Sequence, residues 1–278
     1  MLVIAVVIAI IIYGIYATVI APPRQWLSAV NGTLITAADY SKALRLNPYV
    51  TSPETPLLAL EENELVRQGA AEAGLPPVAD DEITQEIKDL LFPNETEIDE
   101  EAYRQFLNTL GLSESEFRQM VAVEVLRERL EDYLKEQVPQ SAEQVHVQAI
   151  LVANETAAQA VKDRLDAGED FASLAEEYEG GDLGWLPREI MSEEFDEVAF
   201  GIEMGNVSQP FSTAEGYYII KVLEKEERAL DEATRGRLEA NAFNRWLEKQ
   251  REEKVERNPN LDLDAIYRWA LGQISSGV

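Results

Sequence analysis

The sequence predicts an α+β protein with an apolar N-terminal helix, and three observations carry that prediction. The chain opens with Leu2–Ile20, a run that contains no charged side chain. From Thr55 to Val138, apolar residues recur at the spacing of amphipathic helices. Between Val145 and Leu223, short β-branched and aromatic runs alternate with helical segments, which is typical of a small domain built on one sheet.

The run Leu2–Ile20 is long enough to cross a bilayer, because 1.5 Å per residue brings it close to the roughly 30 Å hydrocarbon core. The alternative is a cleaved signal peptide, since Val19 and Ala21 suit the rule of small residues at a cleavage site. However, Pro22 follows at once, and no Lys or Arg precedes the run. We therefore predict an uncleaved transmembrane signal anchor over residues 1–21.

Residues 22–140 are predicted to form a mostly helical domain that begins with a β-hairpin. Asn31-Gly32 is the commonest two-residue hairpin turn, and Thr36 follows as a helix N-cap. The later helices are predicted from Thr55 to Gly74, from Asp80 or Asp81 to Pro93, from Ile98 to Leu110, and from the Ser113–Glu116 capping box to Pro139.

Residues 143–225 are predicted to form the domain that contains the sheet, and residues 226–278 two further helices. Gly180-Gly181-Asp182 is predicted to be a tight turn, because Gly accepts positive φ and Asp bonds its own backbone. The predicted strands are Val145–Val152, Leu183–Leu186, Val207–Phe211 and Tyr217–Leu223; the helices are Thr156–Ala167, Asp170–Tyr178, Glu193–Phe200, a long one from Glu224 to Glu256, and Leu261–Ile274.

The composition limits the function. The chain has 278 residues with a formal net charge of −28, which argues against nucleic acid and favours neutral or basic partners. Cysteine is absent and His146 is the single histidine, so disulfides, thiol catalysis and a multi-histidine metal site are excluded. We expect no cofactor and no metal.

An ordered series of motifs resembles the rotamase domain of parvulin-type peptidyl-prolyl cis-trans isomerases. The series is Gly180-Gly181-Asp182-Leu183-Gly184-Trp185, then Met191, Phe195, Gly205–Pro210, Thr213 and Gly216–Val222. The hairpin VNGTLIT at 30–36, followed by a helix, is similar to the start of the helical domain in PrsA/SurA-like foldases. This resemblance implies a chaperone domain over 22–140, a four-stranded parvulin-like domain inserted after it, and C-terminal helices that pack back onto the first domain.

The same resemblance implies which residues form the site. Leu183, Met191 and Phe195 match the positions that grip a proline ring, and Thr213 matches a threonine beneath the site. Ala149 and Tyr218 stand where the family usually has histidine. Tyr218 and Thr213 are therefore the remaining candidates for a catalytic role.

Other features near the site also depart from the family. The loop before Gly180 is shorter than usual in the family. His146 precedes Ala149 by three residues and is expected to face solvent on the opposite side of the strand.

The resemblance implies an extracytoplasmic, membrane-anchored folding factor whose partners are unfolded or proline-containing polypeptides. Isomerisation of an X–Pro bond needs no nucleophile, only a dry apolar pocket that favours the twisted amide. Because the usual polar residues are missing, the isomerase activity is expected to be weak. The alternatives are a non-catalytic holdase or assembly scaffold that uses the fold to bind peptide, and an anchored structural subunit that docks one fixed partner.

Overall fold

The computed structural model describes residues 24–47 and 49–276. The predicted anchor over residues 1–21 lies outside the described residues, and within the described ones no helix is long and apolar enough to cross a membrane. The chain divides into two compact units. The first unit combines the described residues up to Tyr133 with those from Phe243 onwards, and the second unit is Leu134–Ala242.

The helices and strands alternate in a pattern that gives each unit its own sheet. In chain order they are β1 (Trp26–Val30), β2 (Thr33–Thr36), α1 (Ala37–Leu46), α2 (Glu54–Glu72), α3 (Asp80–Leu91), α4 (Glu100–Leu110), α5 (Glu114–Glu136), β3 (Ser141–Val152), α6 (Glu155–Asp166), α7 (Phe171–Ala175), β4 (Glu179–Pro187), α8 (Glu193–Gly201), β5 (Phe211–Thr213), β6 (Gly216–Ala229), α9 (Glu232–Lys254), β7 (Val255–Arg257) and α10 (Leu263–Ser276).

The local signals at the start of the first unit act as predicted. Asn31 and Gly32 have φ of 47° and 85°, the paired positive values of a tight hairpin turn between β1 and β2. Thr36 caps α1 through a reciprocal capping box with Asp39. The predicted capping box ahead of α5 also forms, since the Glu116 carboxylate accepts from the Ser113 N–H at 2.9 Å.

The core of the first unit is built from both ends of the chain. Tyr40, Leu44 and Leu57 from the N-terminal helices are fully buried against residues of the C-terminal segment, including Leu247 and Ala270. The short strand β7 completes a three-stranded sheet in the order β2-β1-β7, so the C-terminal segment also pairs with the first strand. The C-terminal segment therefore contributes backbone hydrogen bonds as well as apolar surface.

Ion pairs along α2 reinforce this arrangement. Glu61 is 0% exposed, and both its carboxylate oxygens accept from Arg257 at 3.2 Å. Arg257 also donates to Glu54 at 2.8 Å, and these carboxylates raise its pKa. Because a buried carboxylate without a partner is strongly destabilising, Glu61 requires the presence of Arg257 on β7.

The second unit contains a four-stranded antiparallel sheet in the order β4-β3-β6-β5. One face packs against α6 and α7 through Ile150 and Ile219, and the other against α8 through Phe195 and Ile220. The predicted α+β class with a helical region and a four-stranded sheet domain is therefore confirmed.

Three predicted elements of this unit were wrong in detail. Gly180 and Gly181 form no turn but lie inside β4, where they pair with Ile150 and Ala149 of β3. Within the predicted strand 207–211, Val207 makes one isolated bridge to β6, and regular pairing begins only at Phe211. The helix Asp170–Tyr178 is shorter than predicted, because α7 ends at Ala175 and β4 starts at Glu179.

The long helix predicted from Glu224 to Glu256 was also wrong at both ends. Residues 224–229 continue β6 and pair with the first residues of β3, which begins at Ser141 instead of Val145. The helix α9 begins only at Glu232 and gives way to β7 at Val255. Cross-strand pairing thus overrides the helical preference of this charged segment.

Gly69 on α2 lies directly against Trp246 of α9, and its substitution tests the packing of the two helices. A Cβ at Gly69 would overlap the ring of Trp246 and lie 3.3 Å from Leu130. We expect Gly69→Ala to lower the free energy of unfolding by about 1–3 kcal/mol through overpacking, despite the better helix propensity of alanine. Urea unfolding of the full chain measures the change.

The matched control is Gly236→Ala, since a Cβ at this helical glycine meets no atom within 4 Å. This variant should gain up to about 1 kcal/mol from helix propensity alone. Equal stabilisation of the chain by both substitutions would contradict the close packing of α2 on Trp246.

Candidate functional site

The structure brings the predicted apolar site residues together on the α8 face of the second sheet. Leu183 lies on β4, Met191 in the segment between β4 and α8, Phe195 on α8 and Tyr218 on β6, and all four belong to one apolar cluster. Thr213 is not part of this cluster but lies at the end of β5, where the chain turns into β6. The sheet and α8 thus assemble residues that are distant in sequence.

Three aromatic rings form the centre of the cluster. Phe195 is 1% exposed, and its ring meets Tyr218 edge-on at 5.4 Å and 87°. Phe211, which pairs with Tyr218 across β5 and β6, stacks on it at 6.0 Å and 24°. Sequence reasoning did not single out Phe211, which begins the short strand β5 and is partly buried.

Leu183 and Met191 are among the partly exposed members of the cluster, whereas Phe195 is buried. A ligand on this face can therefore contact Leu183 and Met191 directly, whereas the Phe195 ring lies beneath the surface. The substrate-binding role of all three residues stays a prediction.

The segment that carries Met191 is held by a buried carboxylate that sequence reasoning did not single out. Asp196 on α8 accepts from the backbone N–H of Glu189 at 2.6 Å. Glu189 has φ of 70°, a conformation uncommon outside glycine. Burial raises the pKa of Asp196. Asp196 therefore stabilises the turn that brings Met191 onto the cluster.

The polar part of the site consists of Tyr218 and its neighbours in the β5–β6 turn. The Tyr218 hydroxyl donates to the Glu215 carboxylate at 2.6 Å, and burial, followed by this bond, raises the pKa of Tyr218. Thr213 Oγ1 donates to the Gly216 carbonyl and accepts from the Glu215 N–H, both at 3.2 Å. Thr213 thus holds the turn that presents Glu215 to a neutral tyrosine hydroxyl.

Ala149 on β3 belongs to the same apolar cluster as Phe195 and Tyr218 and is fully buried. This position therefore supplies no polar side chain. His146 is not among the residues of that apolar cluster. Its ring stacks on Trp185 at 5.4 Å, and Nε2 lies 2.9 Å from Oδ1 of Asp182. His146 is therefore partly covered, not solvent-facing as predicted, because the cross-strand Trp185 shields it.

The site is assembled from uncharged rings, aliphatic side chains and one tyrosine–carboxylate pair. Among the described residues, no group of three or more His, Cys, Asp or Glu side chains is placed to hold a metal ion. The arrangement suits an apolar ring bound against a dry surface, with a hydroxyl and a carboxylate at its edge.

Comparison with known proteins agrees with this architecture. The PPIC-type PPIASE domain family matches residues 138–224, and the SurA-like N-terminal domain family matches residues 54–131. The chain is therefore a two-part protein with a SurA-like helical region and a parvulin-type domain. Foldase protein PrsA of Exiguobacterium sibiricum is 31% identical over 214 residues, which cover 64% of this chain and 68% of that protein. The chain belongs to the PrsA foldase family.

Two further relatives give the range of similarity. Foldase protein PrsA of a Geobacillus species is 36% identical over 171 residues, which cover 54% of this chain and 58% of that protein. Over such relatives the chain thus spans little more than half of their length. The crystal structure of the peptidylprolyl isomerase PrsA from Bacillus cereus is 20% identical, with 90% of this chain and 92% of that chain covered and a TM-score of 0.41.

The burial of Phe195 predicts which variants separate stability from binding. Phe195→Ala should lower the free energy of unfolding by about 3–5 kcal/mol, because it removes a fully buried ring and leaves a cavity. Met191→Ala, at a partly exposed position, should cost about 1 kcal/mol because less apolar surface is lost. Urea unfolding of the full chain measures both.

Phe195→Leu is the matched control, since it keeps most of the buried apolar surface and should recover most of the loss. An unchanged unfolding midpoint for Phe195→Ala would mean that the ring is not part of the core.

Proposed function

We propose that the chain is an extracytoplasmic protein-folding factor that binds unfolded or proline-containing segments and catalyses prolyl isomerisation weakly. One observation carries the proposal: Leu183, Met191, Phe195 and Tyr218 meet in a single cluster on one face of the sheet. Membership of the PrsA foldase family supports the same class of activity.

The chemistry requires little beyond this cluster. Rotation of an X–Pro bond loses amide resonance against a barrier of about 18–20 kcal/mol, and uncatalysed exchange takes tens of seconds. A proline ring held against Leu183 and Met191 brings its amide into a poorly hydrated environment, where the less polar twisted amide is less disfavoured. Tyr218 belongs to the same cluster, and its hydroxyl is bonded to the Glu215 carboxylate.

The second candidate function is peptide binding without turnover, as in a holdase or assembly scaffold. The fully buried Ala149 favours it, because a methyl group offers no hydrogen bond at a position where the family usually has histidine. The Tyr218 hydroxyl proton is also committed to Glu215 in this structure. Binding and catalysis therefore need separate measurements.

A protease-coupled isomerisation assay on a prolyl peptide tests the proposal. The full chain should accelerate isomerisation, and Leu183→Ala with Met191→Ala should lower kcat/KM about tenfold, which corresponds to about 1.4 kcal/mol of lost apolar contact. Met204→Ala is the matched control, since Met204 is an exposed methionine outside the cluster and its loss should leave kcat/KM unchanged.

The two candidate functions give different results in this assay. If the unmodified chain does not isomerise the peptide but binds it, and the double variant binds it more weakly, the result favours the holdase. If the double variant changes neither kcat/KM nor peptide binding, both the catalytic and the binding role of this face are contradicted.

We also propose that Leu2–Ile20 anchors the protein in a membrane as a single-pass segment, with the acidic bulk of the chain outside the cytoplasm. The support is the uninterrupted apolar run in the sequence. The protein should stay with the membrane fraction through carbonate extraction, and a protease added outside the cytoplasm should degrade it. Recovery of a soluble chain that begins near Pro22 would instead mean that the run is a cleaved signal peptide.

A further inference from the structure

The first unit contains a groove of about 560 Å³ that lies between β2, α1, α2 and α5. Its wall on α2 runs from Thr55 through Ala59 and Asn63 to Arg67. At 1.5 Å per helical residue this wall is roughly 18 Å long, which matches about five residues of extended chain. The groove shares no residue with the apolar cluster that contains Leu183 and Met191.

One side of the groove is the free edge of β2. Thr33, Leu34 and Ile35 all line it. Successive side chains of a strand point to opposite faces, so a groove lined by three consecutive residues meets the strand at its edge. Within the described chain β2 is the outermost strand of its sheet, and β1 lies on its other side. This edge therefore offers backbone groups to a ligand.

The register identifies those backbone groups. A two-residue turn closes on a hydrogen-bonded pair, here Val30 with Thr33, so the next pair, Ala29 with Leu34, is the non-hydrogen-bonded one. The N–H and C=O of Leu34 consequently point away from β1. They face the side on which an added strand would lie.

The groove also presents exposed apolar side chains. Leu34 is 58% exposed and Met120 is 37% exposed, and both line it, together with the aliphatic Leu46, Leu60 and Val123. Methionine adapts to ligands of varied shape because its side chain is unbranched and flexible. Such a surface fits a succession of apolar side chains.

The charges of the groove favour a basic partner. Its two cations are already paired within it, Lys42 with Glu116 at 2.6 Å and Arg67 with Glu64 at 3.2 Å. Lys42 and the capping Ser113 together lower the pKa of Glu116 to about 2. The lining therefore carries no surplus positive charge, and it belongs to a chain with a net charge of −28.

We propose that this groove binds an extended apolar polypeptide segment flanked by Lys or Arg, which adds as a strand to the free edge of β2. The apolar side chains contact Leu34 and Met120, the main chain bonds to Leu34, and the basic flanks meet a lining with three carboxylates whose two cations are already paired. The bound segment does not need to contain proline. The inference rests on the proposed function in one respect, namely that the ligand is an unfolded polypeptide, and it uses a separate site.

A fluorescent, proline-free peptide of roughly ten residues tests the groove on the full chain. It has an apolar centre and lysines at both ends, and a second peptide has glutamates there. The lysine peptide should bind at least about tenfold more tightly, and this advantage should shrink at high salt because exposed charges are screened.

Leu34→Pro removes the outward N–H without breaking a bond to β1, so it should weaken binding about fivefold to tenfold. Leu34→Ala, which removes only side-chain contact, should weaken it less. Leu90→Ala is the matched control for Leu34→Ala, since Leu90 is 60% exposed and lies outside the groove, and it should bind normally. Circular dichroism of each variant establishes that it is folded.

Amide hydrogen exchange on the unmodified chain gives a readout that needs no variant. The lysine peptide should protect the Leu34 amide selectively, whereas Ile35, which lies in a hydrogen-bonded pair with Ser28, should change little. Binding without protection of Leu34, or equal binding of the glutamate peptide, overturns the proposal.

The Leu183→Ala, Met191→Ala double variant separates the two sites. It should bind the proline-free peptide normally while its kcat/KM on prolyl peptides falls about tenfold. If this variant no longer binds the proline-free peptide, the groove proposal is overturned, because the peptide would then bind at the cluster that contains Leu183 and Met191. Absent isomerase activity with intact groove binding refutes only the proposed catalysis.

Discussion

The buried ion pair between Glu61 and Arg257 is the interaction on which the first unit depends. Glu61 stands in the middle of α2 with no exposed surface, and its partner comes from β7. A buried carboxylate that loses its cation is strongly destabilising, so the C-terminal segment stabilises the helical core by supplying Arg257. The pairing of β7 with β1 puts Arg257 at the required position.

The same dependence explains why a discontinuous unit holds together. Tyr40 and Leu44 on α1 pack against residues of α9 and α10, and Trp246 approaches α2 at Gly69, near the end of that helix. Each contact joins residues that are far apart in sequence, so forming it carries the entropic cost of closing a large loop. Burial of large apolar side chains offsets that entropic cost.

Much of the fold follows from local signals that the sequence displays. Asn31-Gly32 determines the hairpin, Thr36 and Ser113 start helices, and apolar spacing predicts the helices of the first unit. The misses arise where neighbouring strands, not local pattern, decide the conformation. The residues from Glu224 to Ala229 carry a helix-favouring pattern and become a strand because β3 lies beside them. Strand β7 has only three residues inside a charged run, which is too short for any periodic signal.

The residues of the candidate site also separate into those that the sequence predicted and those that it did not. Leu183, Met191 and Phe195 were predictable because their residue types and order resemble a family pattern, and the structure assembles them in one cluster. Glu215, Asp196 and Phe211 were missed because their roles depend on partners brought together by folding: a tyrosine on the next strand, a backbone N–H and an aromatic stack. No spacing rule in a single sequence encodes those pairs.

The division of the first unit into two segments has a consequence for the order of folding. A chain synthesised from its N-terminus completes Leu134–Ala242, which is continuous, before Phe243 and later residues exist. Until those residues are synthesised, Leu57 and Leu44 lack the C-terminal side chains that pack on them in the folded protein, and Glu61 lacks its partner Arg257. During its own biogenesis the protein therefore passes through a state with exposed apolar helices, the kind of nascent chain on which folding factors act.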